Sequence, residues 1–79
     1  MQQNGKGVKR TLGQKTEDRL MKYILDKPVK IGERIPTEDE LTELFEVGRS
    51  TVREAVKGLV TRGVLEMRRG DGTYVISTI

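Results

Sequence analysis

Arg49, Ser50, Thr51 and Arg53 fall within five residues, and Lys57 follows one helical turn later. Each type has a use against a nucleic acid. Arginine presents a flat fork of donors that fits the O6 and N7 acceptors of guanine. Serine and threonine hydroxyls donate to phosphate. If the cluster opens a helix, the free N–H groups of that first turn add a partial positive charge. A solvated helix face has little need of this combination. A second set, Arg68-Arg69-Gly70-Asp71-Gly72, would put arginine at the tip of a hairpin small enough to approach a backbone or enter a minor groove. Alone it is weak evidence, because glycine-tipped hairpins are common. Asp71 would meet phosphate unfavourably unless it turns away or receives a hydrogen bond.

Other chemistry is poorly provided for. The 79 residues include no cysteine and no histidine, which removes disulfides, thiol catalysis, the usual zinc, haem and iron–sulfur ligand sets and most general-base chemistry. The sequence thus calls for no cofactor, no metal and no catalytic residue. Glu38, Asp39, Glu40, Glu43 and Glu46 form an acidic set. They suit helix capping and dipole complementarity better than acid–base work, since no partner residue accompanies them. Tyr23, Phe45 and Tyr74 are too scattered for a platform that stacks single-stranded bases and read as core or wing packing.

The net charge of +3 conceals a segregation. Residues 1–15 hold Lys6, Lys9, Arg10 and Lys15 and no acid, residues 16–48 nine acids against five bases, and residues 49–79 six bases against three acids. Bases thus gather on the amino-terminal arm, the helix of the arginine cluster and the hairpin, the surfaces that would meet phosphate. No stretch is apolar and long enough for a signal peptide or a membrane span, so a cytoplasmic protein without membrane contact is expected.

The elements that must position these residues follow from pattern. A chain of this length makes one domain with a thin core. Residues 1–15 read as a basic arm, slack over 1–6, with contact to a minor groove or a phosphate left open for the rest. Thr16 is a candidate cap for a first helix over 17–27, with Leu20, Met21, Ile24 and Leu25 on one apolar face and Pro28 ending it. Residues 29–35 read as an extended connection with room for a short strand beside the hairpin. Thr37 with Glu40 spells a capping box for a second helix over 38–46, with Leu41, Leu44 and Phe45 as its stripe. Val47-Gly48 makes the turn. A third helix over 49–62 carries Val52, Ala55, Val56, Leu59 and Val60 on its core face and ends at Gly63. Gly58 sits inside it at a cost of ~1 kcal/mol against alanine, which close approach of another backbone would explain. Strands over 64–68 and 73–77 flank Gly70-Asp71-Gly72, whose two glycines allow positive φ angles in a tight turn. The fold expected is mainly α: three helices and a two- or three-stranded antiparallel wing, a winged helix-turn-helix over 16–77, with a tail at 78–79.

The strings Ile-Pro-Thr-Glu-Asp-Glu-Leu (35–41), Arg-Ser-Thr-Val-Arg-Glu-Ala (49–55), Leu-Val-Thr-Arg-Gly (59–63) and Arg-Arg-Gly-Asp-Gly-Thr-Tyr-Val (68–75) resemble, in order and spacing, the DNA-binding domain of the GntR family of bacterial transcription regulators. The resemblance covers residues 17–76. It implies an operator-reading domain of a dimeric repressor or activator, with the third helix in the major groove of a palindrome and each wing in the minor groove. Arg49 and Arg53 would read bases, Ser50 and Thr51 would take the neighbouring hydroxyl roles, and Thr37 would touch phosphate. Arg69 and Gly70 would form the wing tip, with Glu38, Lys57 and Gly72 completing the interface. Alone, the domain would be monomeric or weakly associated. A small-molecule effector would act only through a further domain, to which 78–79 would lead. Three departures stand out: Asp39 where the family often has arginine, Glu46-Val47-Gly48 where it often has Gly-Val-Ser, and the length, since family members normally continue into an effector-binding and dimerising domain, so that these residues would be an isolated domain or else a naturally short relative. The first removes or changes a contact, and the second places Glu46 at a left-handed position. Rival readings are a protein-interaction winged helix, which predicts a neutral or acidic third helix, and a small phosphate-handling enzyme, which predicts convergent titratable groups.

Overall fold

The computed structural model describes residues 10–78 of the chain. Three helices come first, α1 (Leu12–Asp26), α2 (Glu38–Phe45) and α3 (Arg49–Thr61), followed by a hairpin of β1 (Leu65–Arg68) and β2 (Gly72–Val75). The first helix starts earlier than the sequence suggested. Thr11, not Thr16, is its cap: the Thr11 hydroxyl accepts from the Gln14 N–H at 3.0 Å, and the Gln14 side chain accepts from the Thr11 N–H at 2.8 Å. This is a complete capping box, and it outweighs the glycine at position 13 that makes the segment look unstructured. Residues 12–15 are therefore helix rather than arm, while residues 1–9 of the expected arm lie outside the described residues. Thr16 is buried on the inner face.

The capping box of α2 is as expected, with Thr37 and Glu40 exchanging bonds of 2.8 and 3.2 Å. The helix ends at Phe45, and Glu46 takes the left-handed conformation at φ 56°. The Arg19 guanidinium reaches over from α1, donates to the Phe45 carbonyl at 3.0 Å and lies 4.8 Å from the centre of the Phe45 ring. One side chain thus closes α2 and ties the turn to α1. Helix α3 ends in a Schellman turn: the Gly63 N–H donates to Val60 and the Val64 N–H to Leu59, with Gly63 at φ 79°.

That turn aims the chain back so that Val64 and Leu65 are buried at the root of the hairpin. The strands pair Leu65 with Val75 through to Arg68 with Gly72. At the tip only Gly70 has positive φ, at 74°. Gly72 does not; it leaves room for the Arg34 side chain, which a β-carbon there would overlap and displace. The connection after α1 lies along the other edge of β2. Gly32 and Ile35 donate to Val75 and Thr73, and Val75 donates back to Glu33, all at 2.7–2.9 Å. Arg34 bridges Tyr74 there, so the wing has a third, very short member.

The core draws on every element: Leu20 and Ile24, Ile35, Leu41 and Phe45, Val52, Val56 and Leu59, then Val64, Leu65 and Val75. Leu25 and Leu44, expected inside, are about half exposed. Gly58 is explained by a side chain rather than a backbone. The Glu17 carboxylate of α1 occupies the space a β-carbon would need, and it is held there by Arg62 at 2.9 Å. Burial of apolar surface stabilises by ~25 cal/mol per Å², so a core this small leaves stability sensitive to single contacts.

Candidate nucleic-acid interface

Helix α3 opens on Gly48, which has no side chain to cap it. The first-turn N–H groups of Arg49, Ser50 and Thr51 are therefore left for another acceptor, which is the arrangement that attracts an anion. Val52, Ala55, Val56 and Leu59 face the core, which turns Arg49, Ser50, Arg53 and Lys57 outward, all exposed. Thr51 is partly buried at the edge. The predicted cluster thus forms one surface.

Its charges are not all unpartnered. Arg49 Nη1 lies 2.6 Å from Asp39 Oδ1 and 3.7 Å from Glu38 Oε1. Arg53 donates through Nε to Glu38 Oε2 at 3.1 Å. The capping box leads α2 straight into Glu38 and Asp39, so the short turn sets those acids against the start of α3. Glu38, expected at the interface, sits between both arginines. Lys57 and Arg69 have no ion pair among the described residues.

A groove of about 300 Å³ separates the two helices from the wing. Thr37, Glu38, Arg53 and Lys57 line one side and Met67 and Gly72 the other. Arg69 and Gly70 stand apart at the tip of the hairpin, outside that lining. Behind the tip is a group the sequence did not reveal. Arg34 donates to the Asp71 carbonyl at 3.1 Å and lies 3.6 Å from its carboxylate, which also accepts from the Tyr74 hydroxyl at 2.8 Å. The bond to Asp71 raises the Tyr74 pKa above the ordinary tyrosine value, with burial and the negative charge of Asp71 adding to it. Arg68 stacks 4.1 Å from the centre of the Tyr74 ring and pairs with Glu66 at 3.0 Å. The acid at the wing tip is therefore partnered from within, by Arg34 and the Tyr74 hydroxyl. Sequence alone signals Arg34 only through the glycine at 72 that makes room for it.

No group of acids among the described residues is placed to hold a metal ion. Nor is any helix among them long and apolar enough to cross a membrane.

Comparison with known proteins agrees with this geometry. The profile described as "Bacterial regulatory proteins, gntR family" matches residues 12–75. The putative HTH-type transcriptional regulator RmpR of Mycobacterium gastri is 47% identical over 62 residues, covering 76% of this chain and 23% of that protein. The chain thus spans about a quarter of that regulator's length. Among solved structures, Streptococcus agalactiae GntR superposes with a TM-score of 0.79 at 49% identity, covering 82% of this chain and 32% of that one. The DNA-binding domain of AraR, solved in complex with operator ORX1, gives 0.77 at 31% identity, with 85% of this chain and 81% of that one covered. Three helices, a turn of three residues between the last two, and a hairpin wing make the fold a winged helix-turn-helix, and the chain belongs to the gntR family of bacterial regulatory proteins.

Proposed function

We propose that this chain is the operator-reading domain of a cytoplasmic transcription regulator that binds double-stranded DNA and catalyses nothing. The observation that carries the reading is the outer face of α3, where Arg49, Ser50, Arg53 and Lys57 line up behind a helix start with no side-chain cap. Helix α3 enters the major groove, Arg49 and Arg53 meet guanine edges, and Lys57 lies along phosphate. Ser50, Thr51 and Thr37 donate hydroxyls to the backbone on either side. The wing follows the strand into the minor groove, led by Arg69 and Gly70, with Gly72 keeping the hairpin slim. Glu38 belongs to the interface as the group that orients the two arginines. AraR, at 31% identity, was captured on its operator with the same fold, which supports a duplex as the partner.

A regulator of this kind works as a homodimer on a palindrome, where the second half-site multiplies the affinity of the first. Dimerisation and an effector then reside in parts of the protein beyond this domain. Occupied operator excludes or recruits polymerase.

The test is to select duplexes from a randomised library with this chain, then measure fluorescence anisotropy on the enriched sequence and on its scrambled version at two salt concentrations. Tighter binding to the enriched duplex, weakening steeply with salt, is expected. Equal binding to both would overturn base reading by this domain, and salt-independent failure to bind either would overturn the DNA reading altogether.

A further inference from the structure

We propose that Asp39 is a specificity-determining residue, which holds the Arg49 guanidinium in a state that accepts a base edge and refuses a phosphate. The inference rests on the reading of α3 as the DNA-facing helix.

Asp39 takes no part in the capping box of α2. Thr37 and Glu40 complete the capping box without it, and its side chain is 71% exposed. It nonetheless lies 2.6 Å from Arg49, on the face that would meet a polyanion. An exposed ion pair contributes little to folding. Its effect on binding depends on what the arginine meets. The guanidinium has five N–H donors, and a guanine edge engages two of them. An arginine already bonded through one Nη to a carboxylate can therefore still make both base contacts, and the carboxylate fixes the plane of the fork. Guanine is neutral and does not compete with the acid. A phosphate is an anion, and approaching the same guanidinium it meets the charge of Asp39 at close range. The pair consequently weakens contacts available on any DNA more than contacts available only at the right base.

The neighbouring arginine is arranged alike. Arg53 gives its Nε to Glu38, which leaves both terminal nitrogens for an acceptor, and Glu38 also lies within 3.7 Å of Arg49. Both arginines are thus pre-paired through part of the fork, by acids from the start of α2.

The experiment compares the wild-type chain, Asp39→Asn, Arg49→Met and the double variant on the enriched and scrambled duplexes, each over a range of salt. Asparagine keeps the size of the side chain, and thermal melts verify that each variant is folded. Asp39→Asn is expected to tighten binding to the scrambled duplex by about two- to fivefold. It should steepen the slope of log affinity against log salt by about 0.9, the increment for one more neutralised phosphate. Affinity for the enriched duplex should change less, so discrimination falls. In the Arg49→Met background Asp39→Asn should do much less. The proposal is overturned if Asp39→Asn strengthens both duplexes equally, leaves the scrambled duplex and the salt slope unchanged, or acts as strongly without Arg49. A wild-type chain that does not discriminate would instead overturn the base-reading role of α3, and this inference with it.

Discussion

Gly58→Ala is the substitution for which general expectation and this structure disagree. In the interior of a helix, replacing glycine by alanine stabilises by ~1 kcal/mol. Here the new methyl would overlap the carboxylate of Glu17, whose side chain is only 16% exposed and is bonded to Arg62 at 2.9 Å. The carboxylate is the end of a flexible chain, so it can swing away, but it then gives up the Arg62 pair and its place between α1 and α3. A partly exposed pair contributes ~0.2–1 kcal/mol, which offsets between about a fifth and the whole of the propensity gain. Gly58→Ala should therefore stabilise by no more than ~0.8 kcal/mol, the largest difference between those two effects. In a Glu17→Ala background the obstruction is gone, and the same substitution should give the full ~1 kcal/mol. For a domain of this size that corresponds to a rise of ~4–8 °C in Tm. Urea unfolding followed by circular dichroism, run as a double-mutant cycle, measures the coupling directly. If Gly58→Ala stabilised the wild-type chain as much as the Glu17→Ala chain, the packing explanation for this glycine would be wrong.

Glu46→Gly should stabilise by ~0.5–1 kcal/mol, because relief of a left-handed side-chain residue at φ 56° outweighs the added entropy of glycine; the same unfolding assay reads it. Arg53→Ala should cost ~1–3 kcal/mol on the enriched duplex and relax preference at one base pair, whereas Lys57→Ala should weaken all sequences alike and flatten the salt slope by about 0.9. An Arg53→Ala variant that lost enriched and scrambled binding equally would refute its base-reading role. Tyr74 should titrate above the ordinary tyrosine value because its folded phenol donates to Asp71. The sign follows: this contribution to stability is fully present below the unfolded-state pKa and is lost as pH rises through the folded one. Asp71→Asn should lower the Tyr74 pKa, as read by tyrosinate absorbance.

What was legible in the chain was what periodicity and local chemistry encode. The core stripe of α3, the Thr37–Glu40 box and the stop at Gly63 depend on residues within a few positions of one another, whereas the left-handed Glu46 was legible only through the family resemblance, in which glycine often holds that position. Thr11 was equally local, but the Thr-x-x-Gln box was masked by the glycine beside it, and Thr16 looked like a cap because acids follow it. Leu25 and Leu44 match the apolar spacing yet face outward, since spacing tells which residues share a stripe and not how wide the stripe's cover is. The pairing of Arg49 with Asp39, the seat of Glu17 over Gly58 and the Arg34–Asp71–Tyr74 group are long-range. They follow only once the turn after α2 and the edge of β2 have brought distant segments together.

The wing is built so that its attitude is decided before DNA arrives. Its root is buried through Val64 and Leu65, directly after the Schellman turn of α3, and its second strand, β2, is bonded on its other edge along residues 32–35 of the preceding connection. Arg34 then fastens the turn from behind, seated where Gly72 leaves room. A hairpin joined to the chain only through β1 would have to be ordered on binding, and ordering subtracts from affinity. Held on two sides, the hairpin keeps its angle to α3, which under the proposed function lets helix and wing meet adjacent grooves together. The Arg69-Gly70 tip lies beyond those restraints, at the turn where Gly70 takes positive φ. The same coupling means that loosening Arg34 would be felt in the wing's share of binding without touching any residue on α3.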